Sequence, residues 1–391
     1  MKIFHIKYIK IIGTLLCLCM LMTSCKLVFN GTKDSERNKE KIEKVVISDP
    51  VEKQMSDLEK AHQILNEMSL EEKVGQMFIV RCPQENAIQS ISKYHLGGYI
   101  LFGRDFKNKT QEEVSLNIQS YQNASKIDML IGVDEEGGTV NRVSAYNQFR
   151  SSRFKSPQNL YKEGGWALIA KDTEEKVTLL KSLGINLNMA PVGDVSTNQD
   201  DYMYARTFGK DAKLTSQYVQ KVVGVMNNNK LGCVLKHFPG YGDNLDTHTG
   251  MAYDYRSYES FVKNDFLPFI SGIKAGADAI LVSHNIVDCM DSQYPASLSA
   301  KVHQILRKDL SFDGVIITDD LYMDAIQKYT KAEEAAVVAV LAGNDMICCT
   351  DFDVQIPAVI EAVKNEIISE DTIDQSVIRI LCWKLILDII E

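Results

Sequence analysis

Several kinds of motif are missing from this chain, and each absence removes a class of function. The six cysteines beyond position 25 (Cys82, Cys233, Cys289, Cys348, Cys349 and Cys382) contain no C-x2-C pair. No H-x-H occurs in the first strand-like run, and no two histidines stand four residues apart. A metal hydrolase built on the usual ligand spacings therefore has no starting point, and none is expected here. The phosphate cradles G-x-G-x-x-G and G-x4-G-K-[ST] are absent, as is the G-x-S-x-G turn of serine hydrolases. No run of basic residues is present and the formal net charge is −9, which argues against a nucleic-acid partner. No internal repeat and no low-complexity tract interrupts the chain.

What is present begins with an export signal over residues 1–24. Lys2, Lys7 and Lys10 precede an apolar stretch from Ile11 to Met22, which is short for a membrane span. Leu21-Met22-Thr23-Ser24-Cys25 is similar to a bacterial lipobox, with Cys25 as the expected lipidation site. Loss of three lysines and no acid with the signal takes the charge from −9 to −12. Residues 25–56 are polar, without apolar periodicity, and read as a flexible membrane-tether linker. The expected location is the outer face of a bacterial membrane. Residues 57–391 are then the globular domain. Nothing else in it is long and apolar enough to cross a bilayer.

Within that domain short apolar runs alternate with helix-length amphipathic segments such as Gln111–Gln122, Asp172–Leu183, Leu214–Asn228, Tyr258–Ala275, Ala300–Leu310 and Lys331–Ala342. The runs are Gly75–Val80, Gly98–Phe102, Met129–Asp134, Asn186–Val192, Cys233–Phe238, Ala279–His284, Val315–Asp319 and Asp345–Cys349. Runs apolar on both faces with helices between them predict a parallel sheet, and eight of them predict an α/β fold closed as a (β/α)8 TIM barrel. Polar residues collect where the runs end: Asp134, Asp194 just past the fourth, Lys236 and His237, His284, and Asp319. Barrel active sites form at that face.

The densest window runs from Lys236 through Gly240 and Gly242 to Asp246 and His248. Lys236 and His237 supply donors suited to sugar oxygens, or pair with Asp134 or Asp194 to satisfy buried charge. An imidazole two residues from a carboxylate is a proton-transfer pair or an Asx-type turn. Asp319, delivered by Ile316-Ile317-Thr318, is suited to act as nucleophile, base or metal ligand. Asp320, next to it, should point to the other face and serve as a helix cap or an ion-pair partner. Met323 pads either the core or the site.

In this context Lys236-His237-Phe238-Pro239-Gly240-x-Gly242-Asp243-x-x-Asp246-x-His248 closely resembles the signature of family 3 glycoside hydrolases, in their β-N-acetylhexosaminidase branch. Met68–Met77, Gly132–Gly138 with Asn141-Arg142, Leu183–Val192 with Asp194, Arg206-Thr207-Phe208-Gly209 and Thr318–Leu321 follow the family's other motifs in order. The resemblance implies an exo-acting, retaining β-N-acetylglucosaminidase that needs no cofactor. It implies that Asp319 is the nucleophile, His248 the acid/base and Asp246 its partner. It further implies that Asp134, Arg142, Arg206, Lys236 and His237, with Asp194 beside them, hold the terminal sugar of a β-N-acetylglucosaminide; Met323 joins them as a substrate-side candidate from its place just past the strand end. Tyr241 stands where the family often has His and Thr139 where Arg is common, and Glu391 comes before any second α/β domain, so a single-domain enzyme is expected. Phosphorolysis of an N-acetylglucosaminide, a β-glucosidase, and a non-catalytic sugar-binding lipoprotein are the competing readings.

Overall fold

The structure, a computed structural model, describes residues 50–244 and 250–391. Eight parallel strands form one sheet: β1 (Phe78–Arg81), β2 (Gly98–Leu101), β3 (Leu130–Val133), β4 (Leu187–Asn188), β5 (Gly232–Phe238), β6 (Ala279–Val282), β7 (Val315–Thr318) and β8 (Ile347–Cys349). Each pairs with its sequence neighbour, and β8 pairs with β1. A bridge between Ile317 and Met346 joins β7 to the start of β8 and closes the ring. The expected (β/α)8 barrel is the fold. It follows from runs such as Val315-Ile316-Ile317-Thr318, whose four residues are all buried: β-branched side chains filling both faces of a strand need helices on one side and a barrel interior on the other.

The intervening helices follow the amphipathic segments, among them Gln111–Ala124, Pro157–Ser182, Ala212–Asn228 and Ala332–Ala342. Two differ from the sequence reading. The segment expected as one helix over Tyr258–Ala275 contains a π-helical turn, Phe261–Asp265, and that over Ala300–Leu310 a second, Ile305–Asp309. The first strand also begins later than expected. Ser69 and Glu72 form a reciprocal capping box that starts a helix over Leu70–Gln76, so Gly75 belongs to a helix and not to β1. A Cβ on Gly75 would lie 2.1 Å from the Tyr94 carbonyl oxygen, which is why the smallest residue sits there. The first described helix, Pro50–Asn66, runs through position 57, where the sequence reading starts the globular domain. Among the described residues no helix is long and apolar enough to cross a membrane.

The last helix, Glu370–Ile386, carries a charge into the core at the opposite end of the barrel from the polar strand ends. Lys384 is fully buried and its Nζ donates to Gln76 Oε1 at 2.7 Å. Burial drives its pKa down to about 7, against a weaker opposing pull from Asp128. An unfolded chain keeps this proton to about 10.5, so between those values the unfolded state binds more protons and stability rises with pH. Unfolding free energy is therefore expected to gain roughly 2 kcal/mol from this group between pH 7 and 9. Lys384→Met should remove that part of the slope. Denaturant melts of both proteins across the range check it, and identical slopes would refute it.

Candidate active site

The polar strand ends open on one cavity of about 760 Å³. Its wall includes Arg81 from β1, Phe102 after β2, Asp134 and Glu136 after β3, Lys236 and His237 from β5, and Asp319 after β7. Arg142, Arg206 and Met323 also line it, with Thr139, Tyr202, Asp320 and Tyr322. Five residues marked on sequence as sugar-holding, Asp134, Arg142, Arg206, Lys236 and His237, thus line one cavity with the expected nucleophile and with Met323.

The floor is an ionic cluster. Lys236 Nζ lies 2.7 Å from Asp134 Oδ1 and 2.7 Å from Glu136 Oε1. Glu136 in turn takes the Arg206 guanidinium in a fork, with Nη2 to Oε1 at 2.7 Å and Nε to Oε2 at 3.0 Å. Burial pushes the Glu136 carboxyl upward, but Lys236 and Arg206 more than offset it and hold the group well below the usual carboxylate range. Burial likewise pulls the Lys236 ammonium down, and Asp134 and Glu136 reverse it, so the group remains a cation. Arg142 reaches Asp134 at 3.8 Å.

Glu136 was not singled out on sequence, although a signal was available. Asp134 and Glu136 are two residues apart and face the cavity, while Glu135 between them turns away. Glu135 is fully buried and accepts from the backbone N–H groups of Arg142, Val143 and Ser144 at 2.9, 2.7 and 3.2 Å. It fixes the turn that carries Arg142.

Two successive residues of a regular strand point to opposite faces, yet Lys236 and His237 both line the cavity. The ladder to β6 shifts register between Lys236 and Phe238, and this irregularity turns both side chains toward the site. His237 Nδ1 lies 2.7 Å from Asp194 Oδ2, and its Nε2 lies 3.3 Å from Arg206 Nη2. Asp194, grouped on sequence with the sugar-holding residues, stands one layer behind the cavity wall: it is 1% exposed and holds both the His237 ring and the Tyr241 N–H, the latter at 2.8 Å. Because Tyr241 makes that bond through its backbone, its departure from the family's usual His leaves this contact intact.

Asp319 follows β7, its N–H donating to the Val282 carbonyl at 3.0 Å while its Oδ1 accepts the Asp320 N–H at 2.9 Å. Asp320 was expected to face away as a cap or ion-pair partner. It lines the same cavity, and its carboxylate instead accepts from the Tyr322 N–H at 2.9 Å and the Thr350 hydroxyl at 3.2 Å. Burial, the largest cause, raises its pKa. His284 does not line the cavity. It is fully buried, with Nδ1 2.7 Å from Ser297 Oγ and Nε2 3.0 Å from the Asp320 carbonyl, so it braces the turn carrying Asp319.

Asp246 and His248 lie outside the described residues, as does Cys25. The segments on either side of 245–249 are tied together. Arg256 binds Asp254 (Nη2 to Oδ2, 2.7 Å), Asp265 (Nη1 to Oδ1, 3.0 Å) and the Gly240 carbonyl (3.2 Å), and Asn244 Nδ2 reaches Asp254 Oδ2 at 2.9 Å. Gly240 (φ 125°) and Gly242 (φ 58°) permit this approach: a Cβ would fall 2.4 Å from Asp265 Oδ1 and 2.5 Å from Arg256 Cζ respectively. Among the described residues no group of three or more His, Cys, Asp or Glu side chains is arranged to hold a metal ion.

A closed parallel barrel whose strand ends gather carboxylates, a lysine and arginines around one open cavity defines a barrel enzyme acting on a polar substrate. The chain matches the Glycosyl hydrolase family 3 N terminal domain over residues 69–382 and belongs to that family; it is a glycoside hydrolase. It is 29% identical over 272 residues to a beta-hexosaminidase of Nitrosomonas eutropha, covering 66% of this chain and 75% of that protein. It is 32% identical over 236 residues to a beta-hexosaminidase of Xanthomonas campestris pv. campestris, covering 59% and 70%. Among solved structures, a glycoside hydrolase family 3 beta-N-acetylglucosaminidase from Paenibacillus sp. str. FPU-7 superposes with a TM-score of 0.76 at 29% identity, over 82% of this chain and 63% of that one.

Proposed function

We propose that the protein is an exo-acting, retaining β-N-acetylglucosaminidase that removes terminal β-linked N-acetylglucosamine from cell-wall fragments or chitooligosaccharides. The observation that carries this reading is the placement of Asp319 on the same cavity wall as the Lys236–Asp134–Glu136–Arg206 cluster. That cluster presents fixed donors and acceptors to the hydroxyls of one sugar ring, and a carboxylate at the far end meets its anomeric carbon. The names of the relatives support the sugar class.

In the proposed reaction Asp319 attacks the anomeric carbon while His248 gives its proton to the departing oxygen, leaving a glycosyl ester on Asp319. Water then attacks the same carbon, His248 takes its proton, and the ester bond breaks with net retention. Asp246 orients the imidazole and favours its protonated form. The assignments of His248 and Asp246 rest on the sequence motif.

The test is leaving-group dependence. His248→Ala is expected to slow hydrolysis of N,N′-diacetylchitobiose, whose leaving alkoxide needs a proton, by about 10²–10⁴-fold. Release of 2,4-dinitrophenol, which leaves unprotonated, should fall far less in the glycosylation step. Equal losses on both substrates would sink the acid assignment. Sugar 1-phosphate as the main product in phosphate buffer would replace hydrolysis by phosphorolysis.

We further propose that Cys25 is lipidated and tethers the domain to the outer face of a bacterial membrane through residues 25–56. The lipobox-like sequence supports this, and recovery of the intact chain in the membrane fraction of its host is the measurement that checks it.

A further inference from the structure

We propose that Arg81 forms, on the β1 side of the cavity, a subsite for an oxyanion carried by the saccharide substrate, a carboxylate or a phosphate. The proposal rests on the glycosidase reading above and narrows its substrate class to saccharides that carry an anionic group at a defined position.

The cavity's other cations are engaged. Lys236 is held by Asp134 and Glu136, Arg206 by Glu136, and Arg142 reaches Asp134. Arg81 lines the same cavity and makes no side-chain hydrogen bond or ion pair with another described residue; its Nε, like that of Arg142, is buried without a partner, but unlike Arg142 it has no described carboxylate within ion-pair distance. What holds it is a ring. Its Cζ lies 4.4 Å from the centroid of Phe102, which also faces the cavity, and Arg142 Cζ lies 5.6 Å from the same centroid.

A cation–π contact fixes where a guanidinium sits without using its N–H donors. Arg81 is therefore a positioned, planar fork of donors on a cavity wall, with its hydrogen-bonding capacity unspent. The geometry such a fork matches is a carboxylate or phosphate taken by two parallel bonds. Two nearby carboxylates sense this charge, and both are spent elsewhere: Asp320 accepts from the Tyr322 N–H and the Thr350 hydroxyl, and Asp105 accepts the Phe102 N–H and lies 3.8 Å from Arg104 Nε. Arg142, on the same ring, is turned to Asp134 in the sugar-holding cluster, so Arg81 flanks the place where the terminal sugar is proposed to lie.

The oxyanion has two possible positions, on the terminal sugar or on the unit it leaves, and paired substrates separate them. The first pair is 4-nitrophenyl N-acetyl-β-glucosaminide and its 6-phosphate. The second is N,N′-diacetylchitobiose and N-acetylglucosaminyl-β-1,4-N-acetylmuramic acid. The readout is the ratio of kcat/KM, acidic over neutral, for the full-length protein and for Arg81→Gln and Arg81→Lys. A ratio insensitive to the amount of folded enzyme remains readable even if a variant folds poorly.

In at least one pair the wild-type ratio is expected to reach about tenfold or more, as for a charge-assisted bond. It should fall to near one in Arg81→Gln, and Arg81→Lys should keep part of it. The pair that responds locates the anion. A wild-type ratio near one in both pairs overturns the proposal while leaving the glycosidase reading intact. So does a ratio unchanged by Arg81→Gln, which would mean that Arg81 only offsets the Asp319–Asp320 charge. No turnover of any of the four substrates overturns both readings together.

Discussion

Asp319→Gly is expected to lower kcat/KM for an aryl N-acetyl-β-glucosaminide by on the order of 10⁴-fold or more, because in the proposed mechanism it removes the atom that forms the covalent intermediate rather than one that steadies it. The fold should survive. Asp319 sits at the end of β7, where its own N–H, which the substitution keeps, donates to the Val282 carbonyl. Azide supplies a sharper readout than the loss alone. With the carboxylate cut back, the small anion can occupy its place and attack the anomeric carbon from the same side, so activity should partly return with the α-glycosyl azide as product. Rescue yielding the β-azide would instead mark Asp319 as the acid/base. Turnover close to wild type without azide would remove the nucleophile assignment.

Asp319 was legible in the sequence because its setting is local. An apolar run ending in a carboxylate specifies both the strand and the end of the barrel at which the side chain emerges, and Lys236, His237 and Asp134 were found by the same logic. What stayed hidden depends on register or on contacts between distant segments. Gly75 reads as the start of a strand until the Ser69–Glu72 cap converts it to a helix. Asp320 follows alternation on paper, but after Thr318 the chain is no longer strand, and a turn held by Tyr322 N–H, Thr350 and His284 brings it to the cavity. Asp194 comes in motif order beside sugar-holding residues, and its position one layer back is set by the turn through Tyr241, 47 positions on. Arg81 ends a four-residue strand with nothing local to mark it, since Phe102 meets it across the sheet. Glu136 is the case where the needed pattern was present: period-two alternation after β3 separates it from Glu135.

Glu136 is also the residue whose loss should most clearly separate binding from chemistry. Glu136→Ala leaves Lys236 with Asp134 but strips the Arg206 guanidinium of both its bonds to carboxylate oxygen, leaving it, among the described residues, only the Met203 Sδ and His237 Nε2 contacts at 3.4 and 3.3 Å. Removing one partner of a buried pair costs about 3–5 kcal/mol, and the lower end of that range applies because Lys236 retains a counter-charge. The same release frees Arg206, and with it the contact to His237 Nε2, so two of the groups expected to hold the sugar lose their position at once. A displacement of that kind should lower kcat/KM by about 10²-fold. Glu136→Asp restores the charge one methylene short of the fork, and should recover more stability than activity. The pH dependence has a definite sign. With its folded-state pKa held below the ordinary 4.5, Glu136 contributes its full stabilisation above that value and loses it as the pH falls toward the folded-state value. Wild type should therefore lose more stability than Glu136→Ala as the pH falls below about 4.5 toward that value, the gap between the two narrowing with acid. An activity within twofold of wild type in Glu136→Ala, or a stability gap that stays constant through the acid range, would show that the Lys236–Glu136–Arg206 cluster does not organise the site.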